Sequence, residues 1–476
     1  MFKRLVATIA IVEVALLCAC AVGPDYQKPV TPVPPQFTNV GQPGFNGADV
    51  EAKFWTLFKD PKLDRLVNDA LAANKDLKRA RANLRASRAA QRLAGFDLFP
   101  TVTAAGKYVH ERESRNQLPE YISEQRTIDD VDVGFDAVWE LDFFGRVRRG
   151  VQAARAEEQA SVASLRDAQV TVTAEVARNY FVLRGLQEQL AVAVGNADNQ
   201  SQTLKLTQVR LEAGRGTELD SARAEAQLKT TLASIPPLES SIATTIYRLS
   251  VLTGRLPDAL TSELQIAEPL QALPSLNAVS DPATLLRRRP DIRIAERSLA
   301  ASTARIGVAI GDLFPKVTFT GSIGYDAATF RGLGKTGSDT YSVGPTISWA
   351  AFDLGRVNAR IKIAHAQADA DLATYEASVL GALEETEGAL ITYGRAQSRR
   401  DLLAEAAKAS ERAAELARQR FQGGLTDFVN VLEAERDALA VQDSLAQSHT
   451  QTATALVAVY KALGGGWSDD TEDVNH

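Results

Sequence analysis

Side chains able to do chemistry are few in this chain, and their spacing suits no reaction. The four histidines, His110, His365, His449 and His476, are scattered with no metal-ligand spacing. In GLGKTG, Gly332, Gly334 and Gly337 have the glycine spacing of a dinucleotide loop. Such a loop follows a strand and opens a helix, whereas this one lies between two strand-like stretches. As a phosphate loop it also fails, because Thr329 stands where the first glycine belongs. The basic run RRRPD, Arg287 to Asp291, reads more simply as a solvated helix junction than as a phosphate site. No nucleophile is paired with a base, so the sequence predicts no enzyme, no cofactor and no metal. One polar pair stands apart. In DFVNVLEAE, Asn430 and Glu433 are three residues apart and share one face of a helix.

What that face does depends on the elements that carry it. The formal net charge of −6 argues against nucleic acid as the main partner. The only long apolar run is at the front: Lys3 and Arg4, then LVATIAIVEVALL, then CAC. A basic start, a short apolar stretch and small residues before a break read as a signal peptide, interrupted unusually by Glu13. LCAC followed by AVGPDY resembles a bacterial lipobox, in which cleavage leaves Cys20 acylated at the new N-terminus and discards Cys18. A plain signal peptide cut near Ala19 or Ala21 is the alternative. One acyl chain anchors weakly, whereas two or three hold stably.

Several motifs recur at one offset. Trp139 returns as Trp349, Gly145-Arg146-Val147 as Gly355-Arg356-Val357, and Arg210 and Gly214 as Arg420 and Gly424, each 210 residues on. DLFP at Asp97 returns at Asp312, five residues out of step, as a small insertion would make it. Asp60-Pro61, a capping carboxylate with proline at the first helical position, has a loose echo in Asp281-Pro282. Motifs that keep their order and spacing mark a tandem duplication. Each half reads helix, strand, turn, strand, very long helix, turn, helix. No proline occurs between Arg146 and Ile235, and none after Pro345. Val357, Ile361, Ala364, Ala368, Leu372, Tyr375, Val379 and Leu383 recur at helical spacing and predict one buried stripe. From Gly145 to Gly214 such a helix would run about 100 Å at ~1.5 Å per residue.

The segments before these helices alternate. Val131, Val133, Phe135, Ala137, Trp139 and Leu141 point one way, against Asp132, Asp136, Glu140 and Asp142. KVTFTGSIGYD repeats the pattern with Val317, Phe319, Ile323 and Tyr325. Strands of about 9 to 11 residues with one greasy and one polar face can cross a bilayer. A sheet packed on a soluble core is the other reading of alternation, and Tyr108, Trp139, Tyr341 and Trp349 near strand ends favour an interfacial girdle. Four strands cannot close alone in hydrocarbon, where the smallest barrels have about eight, so several copies must share one barrel. The predicted segments are 1–19 signal peptide, 20–59 lipidated linker, 60–97 helix, 98–142 β-hairpin, 143–257 long helical hairpin and 258–280 linker. The second repeat follows as 281–313 helix, 314–353 β-hairpin, 354–466 long helical hairpin and a 467–476 tail.

With these elements in place, CAVGPDYQKP, LDRLVNDALAANKDLKRARANL, WELDFFGRVRR, VARNYFVLRGLQ, RRRPDIRIAE, FDLGRVNARI and FQGGLTDFVNVLEAERDAL carry a resemblance from Cys20 to Gly464. They resemble the TolC-like outer membrane efflux family, in its lipoprotein, OprM-like branch serving RND-type pumps. The resemblance implies an α+β membrane protein. Its homotrimer would share a 12-stranded barrel, continued by the very long helices as a periplasmic helical barrel. It implies an equatorial mixed region built from the N-terminal linker, the Pro236-Pro237 segment and the C-terminus. The implied partners are a periplasmic adaptor (membrane fusion) protein, an inner-membrane RND-type transporter and outer membrane lipid. The implied function is an exit duct for drugs or other small toxic compounds. A duct for type I protein secretion and a periplasm-spanning structural lipoprotein without a pore are the alternatives.

Two sets of site residues follow. Gly214-Arg215-Gly216-Thr217 and Gly423-Gly424-Leu425-Thr426 are where each long helix turns back, since glycine tolerates left-handed backbone. By resemblance these turns meet the adaptor, and plain helix caps are the alternative. The family's motif has acids at the places of both Asn430 and Glu433, so Asn430 departs from it, and Asp220 matches Asn430 by the repeat. Copies of Glu433 around an axis would repel, raise their proton affinity and attract cations as a periplasmic gate. A solvated outward glutamate is the plainer alternative.

Cys20→Ser is expected to abolish metabolic acyl labelling while leaving assembly in the membrane largely intact, because the barrel inserts on its own. Labelling that persists in the variant would overturn the lipobox reading.

Overall fold

The computed structural model describes residues 21–38, 51–114, 116, 127–274, 276 and 281–467. The 1–19 segment, Cys18, Cys20 and the tail from 468 lie outside the described residues. A 3-10 helix, Phe54–Phe58, precedes α1 (Pro61–Ala73), α2 (Lys75–Phe96), β1 (Thr101–Arg112), β2 (Thr127–Leu141), α3 (Arg146–Glu212) and α4 (Glu218–Leu252). The second half runs from a one-turn α5 (Thr261–Leu264) through α6 (Pro282–Arg288), α7 (Pro290–Gly311), β3 (Lys316–Ala327), β4 (Asp339–Ser348) and α8 (Leu354–Gln422) to α9 (Phe428–Ala462). The helices α3 and α8 have 67 and 69 residues, so each is about 100 Å long at ~1.5 Å per residue. Among the described residues no helix is long and apolar enough to cross a membrane.

Two compact units cut across the repeats. One gathers Met1–Val30, Asn83–Ser161 and Ile294–Glu376; the other gathers Thr31–Ala82, Val162–Arg293 and Ala377–His476. The sequential segments of the chain are therefore not its spatial units, because each repeat lends a piece to both.

The first unit holds one antiparallel sheet in the order β1-β2-β3-β4. Its register decides which side chains share a face. Phe135 stands opposite Ala104 and Ile323, and Ile323 opposite Tyr341; Val133 stands opposite Tyr325 and Trp139 opposite Phe319. This apolar face is open, with Phe135 57%, Ile323 66% and Tyr341 80% exposed, which suits hydrocarbon and not water. The other face carries Lys107, Asp132 and Asp326 in one row and Thr103, Asp136 and Ser322 in another. The two tryptophans are anchored alike: Trp139 Nε1 donates to the Leu98 carbonyl at 3.1 Å and Trp349 Nε1 to Leu313 at 2.9 Å. The switch from strand to helix after β2 is built by Asp142, whose carboxylate accepts from Val147 N at 3.0 Å and Arg148 N at 2.9 Å. Gly145 sits between them at φ 80°. Its counterpart Gly355 lies inside α8 with no such turn, so the two repeats enter their long helices differently.

The second unit holds the main hydrophobic core. Phe54, Trp55 and Phe58 pack with Leu63, Leu66, Val67 and Ala70 of α1 and with segments of α3, α4 and α9. The stripe expected on α8 is real in its burial: Tyr375 in the first unit and Val379 in the second are both fully covered.

Two details differ from the sequence reading. The stretch read as one 60–97 helix breaks at Asn74, and the 281–313 stretch breaks at Arg289. Pro290 makes the second break, since it has no N–H to donate and holds Arg289 in an extended conformation, and in each repeat the residue at the break binds the end of the returning helix. Asn74 Oδ1 caps α2, accepting from Asp76 N at 2.8 Å and Leu77 N at 3.2 Å, while its Nδ2 donates to the Leu252 carbonyl at 2.9 Å. Arg289 donates to the Ala462 carbonyl at 3.0 Å, which is the Leu252 position 210 residues on. Arg289 is also buried and paired with Asp291 and Glu385, each at 2.7 Å, so RRRPD is a helix junction but not a fully solvated one. Pro236 and Pro237 lie inside α4. Their rings face outward, Ser241 Oγ donates to the Pro237 carbonyl at 2.8 Å, and buried Thr231, Ile242 and Ile246 hold the helix on both sides.

Both returning helices end on a left-handed glycine, Gly254 at φ 75° and Gly464 at φ 74°. A Cβ on Gly254 would meet Ala73 O at 2.5 Å, whereas one on Gly464 meets nothing nearer than 3.5 Å. Gly254→Ala is expected to destabilise by more than the ~1 kcal/mol that positive φ alone costs, and Gly464→Ala by about that amount. Thermal melting of the helical signal checks the order; equal losses would contradict the packing at Gly254.

Candidate functional site

The candidate site is the pair of turns joining α3 to α4 and α8 to α9, all within the second unit. Both close identically. Gly214, at φ 70°, donates its N–H to Leu211 O at 2.9 Å, and Arg215 N reaches back to Arg210 O at 2.8 Å. Gly424, at φ 72°, donates to Phe421 O at 3.0 Å, and Leu425 N to Arg420 O at 2.8 Å. This is the helix-ending hydrogen-bond pattern that a left-handed glycine permits. Gly216 lies against the Arg210 and Leu211 backbone, while Gly423 and Leu425 are exposed.

The restarts differ. Thr217 caps α4, its hydroxyl accepting from Asp220 N at 3.2 Å and donating to Asp220 Oδ2 at 2.7 Å. Asp220 is therefore half-buried and engaged in a cap. In the second turn Asp427 holds the cap position without a side-chain bond, and Asn430 Nδ2 donates to Thr426 Oγ1 at 2.8 Å. Glu433 is exposed and makes no hydrogen bond or ion pair among the described residues. The structure thus brings Asn430 and Glu433 to the exposed face of α9 and puts Asp220 in a different local role.

The buried face of α9 shows what sequence reasoning missed. Phe428, Val431, Glu435 and Ala438 form its buried stripe. Phe421, Phe428 and Val431 cluster with Ala224, and Leu204 and Leu206 pack beside them. Glu435, with its side chain 6% exposed, accepts from Thr203 Oγ1 at 2.9 Å. Arg418 Nε lies 3.2 Å from the same oxygen but is not aligned to donate. Burial pushes the Glu435 carboxyl above its usual value, offset only partly by Thr203 and Arg418. The signal in the sequence was a glutamate on the apolar stripe of an amphipathic helix. Arg210, legible only as a repeat marker, donates Nη1 to Phe421 O at 2.6 Å and stacks its guanidinium 4.4 Å over the Phe421 ring.

The first unit adds a site next to Cys20, which itself lies outside the described residues. Arg149, buried in α3, donates to Val22 O and Gly23 O, each at 3.0 Å, and pairs with Asp25 at 2.8 Å. Val22 N donates to Phe144 O at 3.0 Å. The chain that follows Cys20 is thereby fastened to the start of α3. Among the described residues no three His, Cys, Asp or Glu side chains converge on a metal site.

An amphipathic antiparallel sheet with an open apolar face, joined to helices of this length, defines an outer membrane channel of the helical-barrel type and no enzyme. The family model for outer membrane efflux proteins matches residues 66–255 and again 282–465, once for each repeat, and the chain belongs to that family. It is 32% identical over 465 residues to the solvent efflux pump outer membrane protein SrpC of Pseudomonas putida, covering 95% of this chain and 97% of that one. Outer membrane protein OprJ of Pseudomonas aeruginosa is 30% identical, covering 97% and 96%. Among solved structures, the outer-membrane channel OprN superposes with a TM-score of 0.88 at 40% identity, covering 94% of this chain and all of that one. The protein is an efflux exit duct of the outer membrane.

Glu435 links stability to pH. Its folded carboxyl binds a proton more tightly than the unfolded one, so its contribution is full below the ordinary glutamate value of 4.5. That contribution is lost as pH rises through the raised folded value. Glu435→Gln is expected to raise the melting temperature at neutral pH, by about 1 °C for each ~1 kcal/mol gained at this chain length, and to flatten its pH dependence. A parent-like slope would show that Glu435 is not desolvated.

Proposed function

We propose that three copies of this chain form the exit duct of a tripartite efflux pump. It is anchored through acylated Cys20 in the Gram-negative outer membrane, extends into the periplasm, and is met by a periplasmic adaptor and an inner-membrane RND-type transporter. The observation that carries the reading is the sheet. Among the described residues β1 and β4 are its edges, each with one side unpaired, beneath an apolar face that belongs in hydrocarbon. Unpaired backbone groups there cost several kcal/mol each, so closure with other copies is the economical solution. Export of small toxic compounds, solvents and drugs among them, fits relatives named as solvent and antibiotic efflux pump proteins.

Within that duct the two turns are the adaptor-docking tips. The open left-handed glycines, Gly214 and Gly424, leave their backbone accessible, with nothing within 4 Å of where a Cβ would sit. Glu433 is the charged ring of the periplasmic gate, with Asn430 as its neutral neighbour on the same face. Asp220 is a weaker gate member, since its carboxylate serves Thr217.

The test is compound susceptibility. A strain lacking the protein should become several-fold more sensitive to organic solvents and hydrophobic drugs, and the parent gene should restore resistance. Gly424→Trp should reach the membrane yet fail to restore it. In planar bilayers Glu433→Ala should change conductance, and Glu433→Lys should change ion selectivity. Unchanged susceptibility of the deletion strain would overturn the duct reading; parent-like channels in both Glu433 variants would overturn the gate.

A further inference from the structure

We infer that the rim of the sheet farthest from the helices is a site for the phosphate groups of an outer-leaflet glycolipid, held by Arg112 and Arg331 on the apolar side. The inference rests on the outer membrane duct described above and names the lipid that its far rim selects. Its first basis is how charge is sorted across the strands. Near this rim the polar face carries Glu111, Asp130, Asp132 and Asp326 against Lys107. On the apolar face the register sets Arg112 and His110 of β1 beside Thr127 and Asp129 of β2. His110 Nδ1 lies 2.6 Å from an Asp129 oxygen, and Tyr108 donates its hydroxyl to the same oxygen at 3.1 Å. Asp129 is thereby spent. Arg112 is left exposed, with no hydrogen bond or ion pair to its side chain among the described residues.

The loop after β3 brings a second cation to that side. A one-turn 3-10 helix, Phe330–Gly332, folds back over the end of the sheet. The Phe330 ring stands 5.4 Å from that of Tyr108, and a Cβ on Gly332 would sit 2.9 Å from that of Ala327. Val131, between Tyr108 and Ala327 in register, is 1% exposed, whereas Val133 is 47% exposed. Arg331, in the middle of this turn, is exposed and equally without a side-chain partner among the described residues. The other strand acid on this face, Asp339, stands on β4 opposite Tyr325.

Depth fixes the chemistry. Trp139 and Trp349 mark the near edge of the apolar band, each fastened to a carbonyl ahead of its hairpin. Asp129 lies ten residues from Trp139 along β2, a height of about 25 Å at ~3.3 Å per residue and a tilt of about 40°. Membrane barrels have an apolar band of that height. Arg112 and Arg331 therefore stand where acyl chains give way to headgroups, beside the rings of Tyr108 and Phe330. A guanidinium grips phosphate through two parallel, charge-assisted hydrogen bonds. Two unpaired guanidiniums at headgroup depth suit a lipid that carries two phosphates. Their face points away from the lumen, so the site is separate from the path of exported compounds.

The test uses the full-length protein purified in detergent and offered three lipids in turn. These are an acylated, bis-phosphorylated glucosamine disaccharide (lipid A), the same lipid with both phosphates removed, and phosphatidylglycerol. Native mass spectrometry reads how much of each stays on the folded protein. The parent should retain the bis-phosphorylated lipid several-fold better than either of the others. Arg112→Gln combined with Arg331→Gln should lower that retention several-fold, and lysine at both positions should restore part of it. Lys107→Gln, on the polar face, should leave it near the parent's. Equal retention of the phosphorylated and dephosphorylated disaccharides, or parent-like retention by the glutamine pair, overturns the site. Preference for phosphatidylglycerol overturns the glycolipid assignment. Conductance of the parent in planar bilayers reports the duct separately. A parent that conducts but shows no lipid preference loses the rim site and keeps the duct; one that neither conducts nor retains lipid loses both. Should the glutamine pair not fold, Arg331→Gln alone decides, because it lies in the loop outside the strand ladder.

Discussion

Backbone amides and carbonyls in hydrocarbon need partners, and that requirement shapes this protein. Within the chain, β1 to β4 satisfy one another along two hairpins and the β2–β3 pairing that joins them. Their apolar face is open and their outer edges are unpaired among the described residues. A soluble sheet would cover such a face with helices; here the helices leave the strands through a capped turn at Asp142 and Gly145 and run on for 67 residues. The same constraint motivates the proposal that closure comes from further copies.

Duplication solves the helical part twice with different side chains. Each returning helix ends on a left-handed glycine, and each preceding short helix breaks at a side chain that binds its last carbonyls. Asn74 does this as a neutral cap, and Arg289 as a buried cation balanced by Asp291 and Glu385. Those carboxylates are partly exposed, so the ion pairs are worth less than fully buried ones and serve chiefly to keep the arginine satisfied. At the tips the repeats diverge again: Thr217 and Asp220 form a reciprocal cap in one turn, while Asn430 and Thr426 bond in the other. Divergence of this kind lets one half contribute a free acid, Glu433, and the other a capped one, Asp220.

The sequence by itself determined the duplication and the strand and helix types. Each of those is written in local periodicity, in glycine and proline placement, or in a spacing of 210 residues, and needs no knowledge of distant contacts. The tertiary structure alone decided which polar residues are spent. Asn74 lies in a stretch that reads as unbroken helix, and the carbonyl its side chain meets belongs to Leu252, more than a hundred positions away; the break at Arg289 is local, set by Pro290, but its partner carbonyl on Ala462 is just as distant. Pro236 and Pro237 lie inside α4, and packing on either side carries the helix through them. Glu433 and Glu435 are two residues apart and chemically alike, but one faces outward while Thr203 and Arg418 enclose the other. Burial depends on which helix lies across the way, and a single amphipathic stripe does not say what will cover it.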